Sequence, residues 1–253
     1  MGGRLLYNNK KGGIPVGRQQ LLSYMRAAVE RYDLLSPGDR VAVGVSGGKD
    51  SLALIALLAD YRRFSPVPFT LTAITLDPGF GGVETDFSAV ADWCRTLDVP
   101  YELRRTQLAD TAVERAAGKP PCSLCAKMRR GVLHKTAREL DCNVVALGHH
   151  KNDAAETVLM NLLEGGRFAC FSPKTDLDRS GLTLIRPLIF MEEREIAAFA
   201  AKEGLPVVAS RCPVDGHTNR QRAKELAASL SATYGDVNDK ILNALQTGRI
   251  NGW

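Results

Sequence analysis

At 253 residues, with 45% hydrophobic content and a formal net charge of +5, the chain has room for one large α/β domain, alone or with a small appendage. No apolar run approaches the roughly 18 residues of a membrane-spanning helix, and the N-terminus has no apolar core of a secretion signal, so no membrane partner and a cytoplasmic location are expected. The mild basicity tilts toward a polyanion such as nucleic acid without deciding it, and six cysteines in such a chain read as ligands, nucleophiles or core filler rather than disulfides.

Residues 1–17, rich in Gly, Lys and Arg, read as a loose basic arm. From Gln19 to Tyr32 the apolar residues Leu21, Leu22, Met25, Ala28 and Val29 recur at helical spacing. A β-branched run from Val41 then stops at Ser46-Gly-Gly-Lys-Asp-Ser51, and Leu52-Ala-Leu-Ile-Ala-Leu-Leu58 continues as a helix toward Phe64. Gly47 and Gly48 let the backbone turn and approach a ligand without a Cβ in the way. The amides of the first helical turn have no intrahelical partner, and the helix dipole adds positive charge there, so anionic oxygens belong at this loop. Lys49 adds a point charge, Ser46 and Ser51 add hydroxyl donors, and Asp50 is a carboxylate able to hold Mg²⁺. The spacing is neither that of a Walker loop nor that of a dinucleotide-binding turn.

Phe69 to Leu76 alternates as a second strand and ends at Asp77, a carboxylate at the edge where open parallel sheets bind ligands. A helix over 83–97 and a strand over 100–106 complete a β-α-β-α-β pattern, the mark of a doubly wound parallel sheet. A short helix over 107–117 is broken by Gly118-Lys-Pro-Pro121, and Cys122-Ser-Leu-Cys125 opens a basic helix carrying Lys127, Arg129, Arg130, Lys135 and Arg138. The buried strand 143–148 delivers Gly148-His-His-Lys-Asn-Asp153 to the same sheet edge, and a helix is expected from Ala154 to Leu163. Residues 165–181 read as a looser region. Leu182 to Ile189 reads as extended, with Pro187 suggesting an edge position. A helix over 191–203, a short run Leu205-Pro-Val-Val208 and two helices over 218–232 and 236–247 follow. The expected fold class is α/β, a doubly wound and mostly parallel sheet with helical additions at both ends. It divides into a basic arm and helix (1–34), a nucleotide-binding domain with a Cys-x-x-Cys insertion (35–215) and C-terminal helices (216–253).

Cys122 and Cys125 lie at a helix start, where the dipole favours thiolate, and the pair can bind a metal or cycle as a dithiol. A structural zinc needs four ligands, and Cys212 is the one further cysteine that stands out, since Cys94 and Cys142 read as core thiols and Cys170 stays open. Three thiolates without a fourth suggest an iron-sulfur cluster with one iron open to another ligand. Zinc with His217 as fourth ligand is the alternative.

Ser46-Gly-Gly-Lys-Asp-Ser51 resembles the signature of the PP-loop ATP pyrophosphatases. With Pro121 to Gly131, Leu147 to Thr157, the Gly165-Gly166 pair and Ile185-Arg-Pro-Leu188, the chain resembles the TtcA family of tRNA 2-thiocytidine synthetases over roughly residues 35–230. That resemblance implies a PP-loop, HUP-like fold in which O2 of the tRNA anticodon-loop cytidine 32 attacks the α-phosphorus of ATP and sulfur then replaces the adenylated oxygen. It implies ATP, Mg²⁺ and a four-iron four-sulfur cluster on Cys122, Cys125 and Cys212. Lys49, Asp50, Asp153 and His149 are the implied catalytic residues, and Ser46, Gly47, Gly48, Lys49, Asp50, Ser51, Asp77, Gly148 and His149 the implied nucleotide contacts. A cysteine desulfurase or another source would supply sulfide, and the basic helix with Arg167, Arg186, Arg220 and Arg222 would grip RNA phosphates. The rival mechanism makes Cys122 or Cys125 a persulfide carrier and Cys212 its resolving partner. A lysidine synthetase needs no thiols, a two-thiouridine enzyme carries extra zinc-binding pairs, and a small-molecule sulfurtransferase or an iron-sulfur sensor would never touch RNA. A homodimer through the terminal helices is compatible with the sequence, which carries no positive signal for it.

Overall fold

The computed structural model describes residues 17–117, 121–212 and 219–253. The basic arm up to residue 16, the Gly118-Lys-Pro120 break and His217 lie outside the described residues. Six strands, β1 (Asp39–Gly44), β2 (Phe69–Asp77), β3 (Tyr101–Arg105), β4 (Val144–Ala146), β5 (Lys174–Leu177) and β6 (Leu182–Ile185), form one sheet in the order β3-β2-β1-β4-β6-β5. Every pairing is parallel except that of β5 with β6. The sheet grows in both directions from β1, where Val41 lies opposite Leu71 of β2 on one side and Val144 of β4 on the other. Such a switch point leaves a crevice beyond the carboxyl ends of the strands, and the loops leaving β1 and β4 border it.

The described helices are α1 (Arg18–Arg31), α2 (Lys49–Arg62), α3 (Ser88–Thr96), α4 (Leu108–Ala116), α5 (Cys122–Glu139), α6 (Lys151–Leu163), α7 (Glu193–Lys202), α8 (Asn219–Tyr234) and α9 (Val237–Thr247). Alternation along β1 divides the core. Val41 and Val43 face Leu54, Leu57 and Leu58 of α2 with Leu21 and Met25 of α1, while Ala42 faces the layer of Leu133 and Ala137 of α5. The Leu- and Ala-rich α2 has no polar face and is covered nearly all round, as a helix of that pattern must be. α8 and α9 pack on α6, and Leu245 and Trp253 reach the same core as α1 and α2.

The mostly parallel α/β sheet matches the expectation, and four details differ. The helix expected from residue 83 begins at Ser88, because Phe80–Gly82 form a 3-10 turn with Gly79, Gly81 and Gly82 in left-handed conformations and Asp77 accepts the Thr85 amide. The region over 165–181 contains β5, the outer arm of a hairpin. β6 lies between β4 and β5, and Pro187 falls in the turn after it, so no edge strand is needed to excuse the proline. The helix expected from Ala154 begins at Lys151, where the Asp153 carboxylate reaches back to accept the His150 amide at 2.9 Å.

Leu57 is fully buried between α2 and the sheet. Leu57→Ala is expected to destabilise the protein by about 3 kcal/mol, read as a lower denaturant midpoint at unchanged m-value.

Candidate active site at the sheet switch point

The loop between β1 and α2 is held by its own serines. The Ser46 amide donates to Ser51 Oγ at 3.1 Å, Ser51 Oγ donates to the Gly48 carbonyl at 2.9 Å, and the Gly48 amide donates to Ser46 Oγ at 3.3 Å. Gly47 turns through φ +84°, and a Cβ there would lie 3.0 Å from Val208 Cβ and 3.1 Å from the Phe87 ring. Gly48 is the N-cap of α2 with no side-chain cap, so the first-turn amides are left for a ligand. The Gly47 carbonyl accepts the Val208 amide at 2.9 Å. That bond ties the segment leading to Cys212 directly to the loop.

Beside the loop opens a cavity of about 620 Å³. Ile74, Leu76, Leu133, Leu147 and Leu184 give it apolar walls, and Arg129, Arg130, Arg186 and Arg220 give it a strongly positive rim. Of the sequence-predicted residues, Ser46, Asp50, Ser51, Gly148, His149 and Asp153 line it. Asp77 does not: it is buried beneath the turn that follows β2, and its carboxylate accepts the amides of Gly79 at 3.2 Å and Thr85 at 2.7 Å. Lys49 turns toward Asp50 Oδ2 and Glu193 Oε1, both at 3.1 Å. Burial opposes its charge, yet Asp50 and Glu193 outweigh that and raise its pKa.

Asp50 Oδ1 is buried with no hydrogen-bond partner among the described residues, and it lies 3.8 Å from His150 Nε2, which is itself 3.5 Å from Asp153 Oδ2. Asp153 also takes Arg220 Nη1, and Glu156, one turn further along α6, lies 3.7 Å from the same nitrogen. The orphaned Asp50 oxygen is a hard donor of the kind a divalent cation takes, and His150 Nε2 lies within 4 Å of both it and the Asp153 carboxylate. Burial pushes His149 down to about 4, with Arg186, Arg220 and His150 acting the same way against Asp153, so its imidazole is neutral near pH 7. Its ring packs on Phe171 at 5.0 Å between centroids. Lys151, between two site residues in sequence, serves the scaffold instead: it pairs with Glu192 at 3.1 Å and Asp239 at 2.6 Å, pinning α6 to α7 and α9.

Cys125, with Cys122 and Cys212 near it, adjoins a residue that lines this cavity. Cys122 is exposed and Cys125 half-buried in the first turn of α5, and the next residue, Ala126, lines the cavity with Arg129. Burial raises the Cys125 pKa, and the neighbouring Cys212 and Cys122 raise it further while Arg129 opposes. Burial thus opposes the thiolate expected at this helix start, and Cys122 and Cys212 both lie within electrostatic reach of Cys125. As a donor set, three soft thiolates with one edge exposed fit a cluster that keeps one iron open. Cys94, Cys142 and Cys170 are buried, and burial pushes Cys94 up to about 11 and Cys170 up to about 12.

A family model described as a PP-loop domain matches residues 19–224. The chain belongs to the PP-loop family. The tRNA-cytidine(32) 2-sulfurtransferase of Syntrophotalea carbinolica is 39% identical over 221 residues, covering 86% of this chain and 85% of that one. The protein of the same name from Geobacter sulfurreducens is 40% identical over the same shares. Among solved structures, the U34-tRNA thiolase NcsA from Methanococcus maripaludis, determined with its four-iron four-sulfur cluster, has a TM-score of 0.73 at 25% identity, covering 91% of this chain and 79% of that one. The resemblance read from the PP-loop motifs is thereby borne out.

Pattern reading missed Glu193, Glu156 and Phe171. Glu193 bridges Lys49 of the loop to Lys224 of α8 at 2.7 Å. Burial alone would raise its pKa, and the two lysines hold it down at about 2. A glutamate at a helix start reads as a dipole partner, so nothing in sequence marks this role.

Glu156 and His149 oppose each other in pH. Burial, with Asp153 and Glu193, raises Glu156 from 4.5 to about 7 against Arg220 and Lys224. The folded state then holds its proton more tightly than the unfolded state, and stability falls as pH rises from about 4.5 to about 7. His149, lowered from 6.5 to about 4, adds stability as pH rises through that window. Glu156→Gln is expected to remove the falling contribution between about pH 4.5 and 7 and to raise stability above pH 7, measured by denaturant unfolding across that range.

Proposed function

We propose that this PP-loop protein is an ATP-dependent tRNA sulfurtransferase that adenylates O2 of cytidine 32 in the anticodon loop and replaces that oxygen with sulfur. The observation that carries the reading is convergence: Cys122 and Cys212 both lie within electrostatic reach of Cys125, and the residue after Cys125, Ala126, lines the cavity that the Ser46 loop borders.

In this reading Ser46, Ser51 and the amides of Gly47, Gly48 and Lys49 hold the departing pyrophosphate, with Lys49 leaving Glu193 to offset its charge. Mg²⁺ held by Asp50 and Asp153 supplies further neutralisation. Neutral His149 can donate one N–H to a phosphate oxygen but carries no positive charge of its own at pH 7. The apolar patch of Ile74, Leu76 and Leu184 near Gly148 receives a base. Cytosine O2 attacks the α-phosphorus, pyrophosphate leaves, sulfide adds at C2, and AMP departs with the former O2. Cys122, Cys125 and Cys212 would hold a four-iron four-sulfur cluster, which would supply sulfide-level sulfur obtained from a cysteine desulfurase or another sulfide source. Arg129, Arg130 and Arg220 meet RNA phosphates, and Asp77 acts behind the site by fixing the β2 turn. Among the described residues no helix is long and apolar enough to cross a membrane.

The test combines anaerobically purified protein with Mg-ATP, sulfide and unmodified tRNA, and follows 2-thiocytidine by nucleoside mass spectrometry. One AMP and one pyrophosphate are expected per thiolated base. Cys125→Ala is expected to abolish thiolation and the visible iron-sulfur absorbance together. Full activity in a colourless protein would remove the cluster from the mechanism, and product formed on other bases would overturn the substrate assignment.

A further inference from the structure

The cavity wall opposite the Ser46 loop rests on a segment far from every motif. Phe171 sits between two cavity groups: its ring packs on His149, and the Arg186 guanidinium lies over it at 4.9 Å from the centroid. Arg186 is nine-tenths buried, with Nη1 donating to the Ser172 carbonyl, Nε lacking a partner, and no carboxylate paired with it among the described residues. A buried cation so weakly compensated is held by its surroundings rather than by a counter-ion.

Those surroundings are fastened by residues 249–253. Trp253 Nε1 donates to the Phe171 carbonyl at 2.6 Å, its ring contacts the Phe171 ring at 6.1 Å, and Asn251 Oδ1 accepts the Cys170 amide at 3.0 Å. The other side of the indole meets Tyr32 edge-on at 6.2 Å, joining α1 to the same stack. To make these bonds the backbone takes left-handed conformations at both Arg249 (φ 50°) and Asn251 (φ 51°). Asparagine tolerates that region, whereas arginine adopts it at a cost that the surrounding contacts must offset.

We propose that Trp253, with Asn251, is a positioning element of the active-site cavity: it clasps Cys170 and Phe171 from behind so that the Phe171 ring sets His149 and Arg186 toward the substrate. Neither clasp residue touches the cavity. They act through Phe171, which does.

The test is a double-variant cycle on the full chain, and its activity arm rests on the function proposed above. Trp253→Phe keeps a ring and removes the N–H. It is expected to lower kcat/KM for tRNA about fivefold, the size of one hydrogen bond, with Trp253→Ala losing about tenfold. Phe171→Ala is expected to lose at least as much, and adding Trp253→Ala to it is expected to lose nothing more, because both act on the same ring. A second readout needs no turnover. The Arg186 Nε–H resonance should lie upfield in the wild type, since the guanidinium sits over an aromatic face, and should move downfield in Trp253→Ala as it does in Phe171→Ala. Losses that multiply in the double variant, or an Arg186 signal unmoved by Trp253→Ala, would overturn the clasp. A wild-type protein that makes no 2-thiocytidine would overturn the function instead, and the Arg186 signal would still decide the clasp.

Discussion

Gly148 leaves no room for a side chain: a Cβ there would come within 3.1 Å of the Asp50 carbonyl and 3.2 Å of the Ser51 nitrogen. That close approach locks the loop after β4 against the first turn of α2, and the parallel pairing of β1 with β4 makes it geometrically available. His149 and Asp153 thereby share a cavity with Asp50 and Ser46 although about a hundred residues separate them along the chain. On its other side the loop is held through Gly47 by Val208. The phosphate-binding turn is thus gripped between the β4 loop and the segment carrying Cys212, and displacement of either would be felt by both chemistries.

Charge follows the same plan. Asp50, Asp153 and Glu193 crowd one side of the site, and each is met by a cation: Lys49 between Asp50 and Glu193, Lys224 on Glu193, Arg220 on Asp153. Isolated surface pairs contribute little, but these carboxylates are partly buried, so removing Lys49 would take the paired cation from Asp50 and removing Arg220 the one from Asp153. Two of the three cations lie on α8, which follows Cys212 in the chain. A magnesium-nucleotide would offer the same carboxylates a metal and the same cations phosphates. Its arrival and the seating of α8 therefore draw on one set of charges.

Much of this was legible in the sequence because the signals were local. Glycine permissiveness at Gly47 and Gly48, a helix directly after the loop, the strand-helix alternation and the Cys-x-x-Cys at the head of α5 each follow from a few adjacent residues, and the structure has them, with the helix starting three residues earlier, at Lys49, than the Leu52 run. What escaped depends on partners distant in sequence. Asp77 sits at the right edge, yet a glycine-rich turn bends back and consumes its carboxylate. Lys151 lies inside a site motif and serves Glu192 and Asp239. Pattern alone shows Phe171 as one aromatic in a loose stretch, since its neighbours His149, Arg186 and Trp253 come from three separate segments. β5 was invisible for a related reason: Lys174-Thr-Asp-Leu177 is short, half-polar and exposed on one edge, and it becomes a strand only by pairing with β6.

The placement of sulfur beside the cavity, rather than in open solvent, follows from the hazard of the chemistry proposed. An O-adenylated pyrimidine is open to any nucleophile at C2, and water attacking there would regenerate the starting base with ATP consumed. Water must therefore be scarce where the activated carbon sits, while sulfide must still reach it. The structure meets both demands with one helix. Along α5, Leu133 contributes to the apolar wall, Arg129 and Arg130 to the positive rim, and Ala126 brings the cavity to the foot of Cys125, whose neighbour Cys122 faces outward. In the proposed reaction, thiols at the head of this helix, one exposed and one half-buried, would bring sulfur to the cavity's edge, and the Val208–Gly47 bond ties the segment leading to the third thiol to the same loop.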